Sequence, residues 1–149
     1  MPSILDITPE ERAAIDCRVP AKLAWRFSEH VFQVSLVREL KMLRGSYPDL
    51  RWLHAVPNGG NRDKAAAGKM KAEGQAPGVP DLSLPVPRAH RTRIFHGLWI
   101  ELKKAGGCPS PDQWEWLLHL HRSGYAAHLV NCPIVARKLV TDYLSLSRP

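Results

Sequence analysis

The chain has 149 residues, enough for one domain with a sizeable core and too few for two comfortable ones. Its 44% hydrophobic and 23% charged residues are a globular mix, which excludes collagen-like, coiled-coil and wholly disordered readings. Lys and Arg number 21 against 14 Asp and Glu, and the resulting charge of +7 fits a polyanionic partner, most simply nucleic acid.

No stretch approaches the ~20 consecutive apolar residues of a membrane span. The opening MPSILDITPEER lacks a basic region followed by an apolar one, so no secretory leader is expected. Cys17, Cys108 and Cys132 are odd in number and far apart, with no CxxC. They predict neither a structural zinc site nor a disulfide framework, and a cytoplasmic location is the expectation.

Thr8-Pro9-Glu10-Glu11 is a capping box with proline at the first helical position, and it opens a short helix to about Cys17. A second helix starts at Ser28, with Val31, Phe32, Leu36, Leu40 and Leu43 at helical spacing, and stops at Gly45 and Pro48. Arg51 to Val56 reads as a strand ended by the turn Pro57-Asn58-Gly59-Gly60. Arg62 to Glu73, rich in Ala and Lys, reads as a surface helix stopped by Gly74. Asp81 to Val86 and Leu98 to Lys103 alternate as strands, joined by a basic hairpin whose tip spans Arg88 to Arg93. Ser110-Pro111-Asp112-Gln113 repeats the capping-box signature, and Trp114, Leu117, Leu118 and His121 follow at helical spacing. Tyr125 to Val130 is a further core strand, and Pro133 opens a last helix to about Leu146. The order α-α-β-α-β-β-α-β-α predicts an α/β fold, a mixed central sheet flanked by helices.

The chemistry concentrates in Pro80-Asp81 and Glu101-Leu102-Lys103. On a strand, i and i+2 project to one face, so Glu101 and Lys103 point the same way, ~7 Å apart along the chain. Asp81 begins the neighbouring strand and can stand beside Glu101. Clustered carboxylates repel unless a cation lies between them, and Mg²⁺ or Mn²⁺ suits oxygen ligands. A nearby lysine can orient water and balance phosphate charge, as phosphodiester hydrolysis requires. Glu39-Leu40-Lys41 has the same spacing but lies in a predicted helix, where i and i+2 diverge. From the pattern alone, a metal nuclease and a plain Glu101–Lys103 ion pair are equally good readings.

The wider pattern resembles the virus-type replication-repair nuclease (VRR-NUC) domain of the PD-(D/E)XK nuclease superfamily, in its stand-alone phage and bacterial form. The carrying residues are Glu29, Pro57-Asn58-Gly59-Gly60, Arg62-Asp63-Lys64, Lys71-Ala72-Glu73-Gly74, Gly78-Val79-Pro80-Asp81-Leu82 and His96 through Lys103. Ser110 to Gln113 and Gly124-Tyr125 complete them, so the likeness runs from about Ser28 to Leu146. It implies a restriction-endonuclease-like fold over 28–149, with 1–27 as an N-terminal helical extension.

It further implies that Asp81, Glu101, the Leu102 carbonyl and Glu29 hold Mg²⁺ or Mn²⁺. Lys103 is then the catalytic lysine, with Gln113 lining the site. The implied substrate is DNA, with four-way (Holliday) junctions cut by a homodimer in DNA repair. Two alternatives stand beside it: a non-catalytic nucleic-acid-binding module on the same fold, and a nuclease for flap or linear DNA. The charged Arg88-to-Arg93 tip departs from the family pattern, where a shorter hairpin is expected.

Each residue also has a plainer reading. Glu29 suits a helix first turn, and Gln33 shares its face. Gln113 can serve only as the capping partner of Ser110. The resemblance puts Asn58 in a loop near the site as a DNA-binding candidate, and its plainer reading is a tight turn. Arg62, Lys64, Lys69, Lys71, Arg88, Arg91, Arg93 and Lys104 are candidate phosphate contacts or an ordinary solvated surface. Trp114 is expected in the core. Trp99 and Trp116 are expected there or at an interface, with base stacking as the sharper alternative.

Overall fold

The computed structural model describes residues 6–57 and 64–149. Asn58, Arg62 and Asp63, all drawn into the sequence reading, lie outside the described residues.

Helix α1 (Pro9–Ile15) begins as the sequence dictates. The Thr8 hydroxyl accepts from the Glu11 N–H at 3.1 Å, and the Glu11 carboxylate accepts from the Thr8 N–H at 3.0 Å. Helix α2 (Glu29–Met42) is capped by Ser28, whose hydroxyl accepts from the Val31 N–H. Its buried stripe is Phe32, Leu36 and Leu40, while Val31 remains exposed. Helix α3 (Lys64–Ala72) has no buried residue, in keeping with its lack of large apolar side chains. Helix α4 (Pro111–Arg122) and helix α5 (Pro133–Leu144) complete the helical set, each with proline in its first turn.

The strands are β1 (His54–Ala55), β2 (Leu82–Leu84), β3 (Arg88–His90), β4 (Arg93–Phe95), β5 (Leu98–Leu102) and β6 (Ala126–Val130). The main sheet has the order β1-β2-β5-β6, antiparallel except for the parallel β5–β6 pair, with β3–β4 as a separate ribbon. The strand expected over Arg51–Val56 contracts to β1. Pro48–Trp52 instead forms a 3₁₀ turn that buries Leu50 and stacks the Arg51 guanidinium on the Trp52 ring at 4.8 Å. Local stacking and one inward leucine outweigh the β-propensity of that segment.

Two cores sandwich the sheet. On one face Leu82, Leu84, Leu98, Ile100 and Leu102 pack against Phe32, Leu36 and Leu40 of α2 and Ala136 and Val140 of α5. On the other, Ile15 of α1 and Trp114, Leu117 and Leu118 of α4 cover Ala127 and Leu129. Burying each leucine removes apolar surface worth about 1.5–3 kcal/mol. No helix among the described residues is long and apolar enough to cross a membrane.

Strand direction sorts the loops. In the β2–β5 register Leu82 pairs with Ile100 and Leu84 with Leu98. Asp81 before β2 and Glu101 near the end of β5 therefore share one end of the sheet. The excursion from β1 to β2, which carries α3, leaves and returns at that same end, where the Val56 N–H donates to the Asp81 carbonyl at 2.8 Å. The β3–β4 ribbon connects the two strands at the opposite end.

Candidate active site

Glu101 lies on the strand face opposite Ile100 and Leu102, as alternation requires, and is 1% exposed. Lys103, 7% exposed, follows on the same side, its ammonium 3.0 Å from Glu101 Oε1 and 3.7 Å from Glu29 Oε2 at the start of α2. Asp81 Oδ2 accepts from the Leu102 N–H at 2.8 Å, which ties the start of β2 to the end of β5. Gln113 does both things its sequence context allows. Its Oε1 closes the capping box on the Ser110 N–H, and its Nε2 donates to Glu101 Oε1. The structure thus brings Glu29, Asp81, Glu101, Leu102, Lys103 and Gln113 together from four separate elements. Gln33, the other acceptor-bearing residue on the α2 face, lines a groove with Val37 and Lys41.

The charge in this cluster is unbalanced. Burial, then the neighbouring Asp81 charge, pushes the Glu101 carboxyl up to about 8 against the pull of Lys103. Burial also raises Asp81, opposed by its hydrogen bond from Leu102 and by Lys103. Among the described residues, Glu101 Oε2 is buried without a hydrogen-bond partner. A buried carboxylate oxygen left unpaired is costly, so it points to a ligand.

Oxygen donors of this kind fit Mg²⁺ or Mn²⁺, with Asp81 and Glu101 as the inner pair. Among the described residues, no three His, Cys, Asp or Glu side chains are already gathered at metal-ligand spacing. Lys103 pairs with both Glu101 and Glu29, which keeps Glu29 at the edge of the same cluster.

Two glycines shape the surroundings. Gly78, at φ +81°, runs so close to α4 that a Cβ there would stand 2.5 Å from the Asp112 carbonyl carbon, immediately before Gln113. Gly107 faces Glu29 Oε1 and the Lys103 side chain, within 3.5 Å of where its Cβ would be. Sequence reasoning missed Gly107. Its only signal is the Gly106-Gly107 pair in the loop after β5.

No protein-family model matches the chain, and no curated protein matches it. A solved structure described as a VRR_NUC domain protein does, with a TM-score of 0.68 and 25% identity over 83% of this chain and 93% of the other. The fold is that of a VRR-NUC domain. The mixed sheet flanked by helices is the architecture that the sequence resemblance implies.

On this VRR-NUC framework the basic residues separate. Lys64, Lys69 and Lys71 lie exposed on α3, within the excursion at the Asp81 end, and Lys104 is exposed directly after Lys103. Lys69 makes one loose pair with Glu73 at 4.0 Å. Arg91 and Arg93 are exposed at the opposite end, where Arg93 stacks on Phe95 at 4.7 Å. Arg88 must be withdrawn from the phosphate contacts. It is 4% exposed, pairs with Asp49 at 2.6 Å and donates to the carbonyls of Leu144 and Pro87. Its guanidinium is consumed inside the protein.

Trp114 is buried in the second core, and Trp99 and Trp116 are partly buried against it. Trp116 also lines a cleft of about 590 Å³ with Ala76, Pro77 and His119.

Proposed function

We propose that this chain is a divalent-metal-dependent DNA endonuclease that hydrolyses phosphodiester bonds in branched DNA, four-way junctions foremost, as a homodimer. The observation that carries the chemistry is the half-buried Asp81 beside the buried Glu101, whose Oε2 has no hydrogen-bond partner among the described residues, next to Lys103.

Asp81, Glu101 and the Leu102 carbonyl would hold Mg²⁺ or Mn²⁺, with Glu29 completing the set. Such an ion supplies positive charge for the phosphate and acidifies a water. The protein's own groups do the rest. Lys103 carries three N–H donors on one compact charge, suited to hold the attacking water or a non-bridging phosphate oxygen. Gln113 is a positioning residue. Its amide is fixed at one end by the Ser110 cap and fixes Glu101 at the other. The exposed lysines of α3 and Lys104 supply phosphate contacts that orient the backbone without reading sequence. One site cuts one strand, so paired incisions in a four-way junction call for two subunits related by a two-fold axis.

The test is cleavage of labelled four-way junction, flap, single-stranded and linear duplex DNA in Mg²⁺, Mn²⁺ or EDTA, with wild type and Lys103→Ala side by side. Symmetric, metal-dependent nicks in the junction, lost in the variant, are expected. Cleavage of flaps or linear duplex instead would keep the chemistry and replace the substrate. Salt-sensitive binding with no cleavage in either metal would make the chain a binding module. Cleavage undiminished in Lys103→Ala would move the active site elsewhere. Sedimentation of the protein on a four-way junction tests the dimer.

A further inference from the structure

Residues before α2 fall outside the sequence resemblance, yet they are woven into the site. From α1 the chain runs along the outer edge of β6. The Cys17 N–H donates to the Leu129 carbonyl at 2.9 Å, and Asp16 forms a parallel bridge with Leu129. The buried Asn131 side chain then grips Val19 twice, accepting from its N–H at 2.8 Å and donating to its carbonyl at 3.0 Å. Six residues on, the Trp25 N–H donates to the Asn131 carbonyl at 2.8 Å, and the Trp25 ring stacks on buried Phe32 at 5.6 Å.

This segment also hydrogen-bonds to the loop that follows Lys103. The Trp25 carbonyl accepts from the Ala105 N–H at 2.6 Å, and Arg18 Nη1 donates to the Gly107 carbonyl at 3.3 Å. Arg18 is itself held as a fork. Its Nε and Nη2 donate to the two oxygens of Asp16 at 2.9 and 2.8 Å, leaving Nη1 aimed at the loop. Gly107 in turn lies against Glu29 and the Lys103 side chain. Covering a sheet edge would need only the contacts at Leu129 and Asn131. The bonds to Ala105 and Gly107 go beyond that edge and reach the loop bearing the active-site lysine.

We propose that residues 16–25 are a strap that positions Lys103, with Arg18 as its positioning residue, acting through the Gly107 carbonyl to keep the ammonium between Glu101 and Glu29. This rests on the nuclease reading above for its catalytic consequence, but not for its structural one.

The experiment compares wild type, Arg18→Ala and Arg18→Lys in three measurements. Steady-state cleavage is expected to show kcat lowered about tenfold in Arg18→Ala with KM for DNA within about twofold, since small misplacements at a reacting centre are expensive. Amide exchange on the metal-free protein should quicken about tenfold at Ala105 and Gly107 while Ile100 and Leu102 stay as in wild type. The Lys103 ammonium signal in ¹⁵N spectra, sharp while Glu101 and Glu29 hold it, should broaden. Arg18→Lys keeps the charge but not the fork, so it should recover only part of each effect.

A raised KM with unchanged kcat would make Arg18 a DNA contact and overturn the proposal. Exchange that quickens equally in β5 would show a merely structural role, and unchanged loop exchange would show no strap. If wild type cuts no DNA, the nuclease reading fails by itself. The exchange and ammonium measurements, made without metal or DNA, then decide the strap.

Discussion

At one end of the β2–β5 pair a buried lysine sits among carboxylates, and at the other a buried arginine does. Arg88 meets one acid, Asp49, and spends its remaining donors on the Leu144 and Pro87 carbonyls. Asp49 also accepts from the exposed Arg148 at 3.2 Å, so this cluster carries no excess of negative charge, and each Arg88 nitrogen has a partner. Lys103 meets Glu101 and Glu29, and Asp81 stands close enough to raise the Glu101 carboxyl. Three acids face one cation, and a Glu101 oxygen has no partner among the described residues. Burial of a charged group is common to both ends. Among the described residues, the surplus of negative charge and the unmet acceptor belong to the Lys103 cluster alone, and they separate the candidate site from a structural ion pair.

The sharpest way to break this comparison is to remove the surplus. Glu101→Gln keeps the shape and deletes one charge. It should lower cleavage about 10²–10³-fold, the cost of losing one preorganised electrostatic group at a reacting centre. The same change should raise the melting temperature of the metal-free protein at pH 8, because a poorly compensated buried charge is gone. A variant that lost activity and stability together would mean that Glu101 is chiefly a fold residue.

At the other end the opposite is expected. Asp49→Ala leaves the Arg88 charge buried with carbonyl partners only, and should cost about 2–3 kcal/mol of unfolding free energy. Cleavage at a temperature where the variant is folded should match wild type. Denaturant unfolding and a cleavage assay on one preparation decide this. A variant of wild-type stability would mean that the Arg88–Asp49 pair contributes nothing net.

Basic residues sharpen the contrast further. Replacing Lys64, Lys69 and Lys71 together by Ala should weaken DNA binding about tenfold at 0.15 M salt and flatten its salt dependence, since each phosphate contact releases counterions. Arg91→Ala with Arg93→Ala should leave cleavage and salt slope close to wild type. If the hairpin pair matters as much as the α3 set, the DNA path spans both ends of the sheet.

Much of this was legible in the sequence because it is local. Strand alternation placed Glu101 and Lys103 on one face, and the Ser110–Gln113 signature carries its cap and supplies the amide that meets Glu101. The contrast between Arg88 and its neighbours was not legible. Arg88, Arg91 and Arg93 share one basic stretch, and the acid that buries Arg88 lies 39 residues away. The short β1 was hidden for a related reason, since the 3₁₀ turn at Pro48–Trp52 depends on burying Leu50 in a core built by other elements. The strap at 16–25 has no motif at all. The bonds that tie it to the sheet and to the Lys103 loop reach groups about 80 to 112 residues away, so no local pattern of side chains records them.

The smallest effect is a pH dependence, and its sign distinguishes the site from a second buried titrating group. Glu101 titrates near 8 when folded against an ordinary value of 4.5, so the folded state holds a proton that the unfolded chain has released. Its contribution to stability is present below pH 4.5 and is lost as pH rises to 8. His128, held down to about 4 by burial despite its hydrogen bond with the Ala14 carbonyl, works in the other direction. Its contribution is present above pH 6.5 and is lost as pH falls towards 4. The two oppose each other between pH 4.5 and 6.5, so the clean window is pH 6.5 to 8. There the metal-free protein should lose roughly 5 °C in melting temperature, and Glu101→Gln should flatten the fall. Added Mn²⁺ should recover the loss at pH 8 and do little at pH 6.5, because it competes with the proton that Glu101 holds at the lower pH. A melting temperature that stays level through this window would mean that Glu101 is ionised and satisfied without any ligand, and the surplus of charge that separates the two ends of the sheet would vanish.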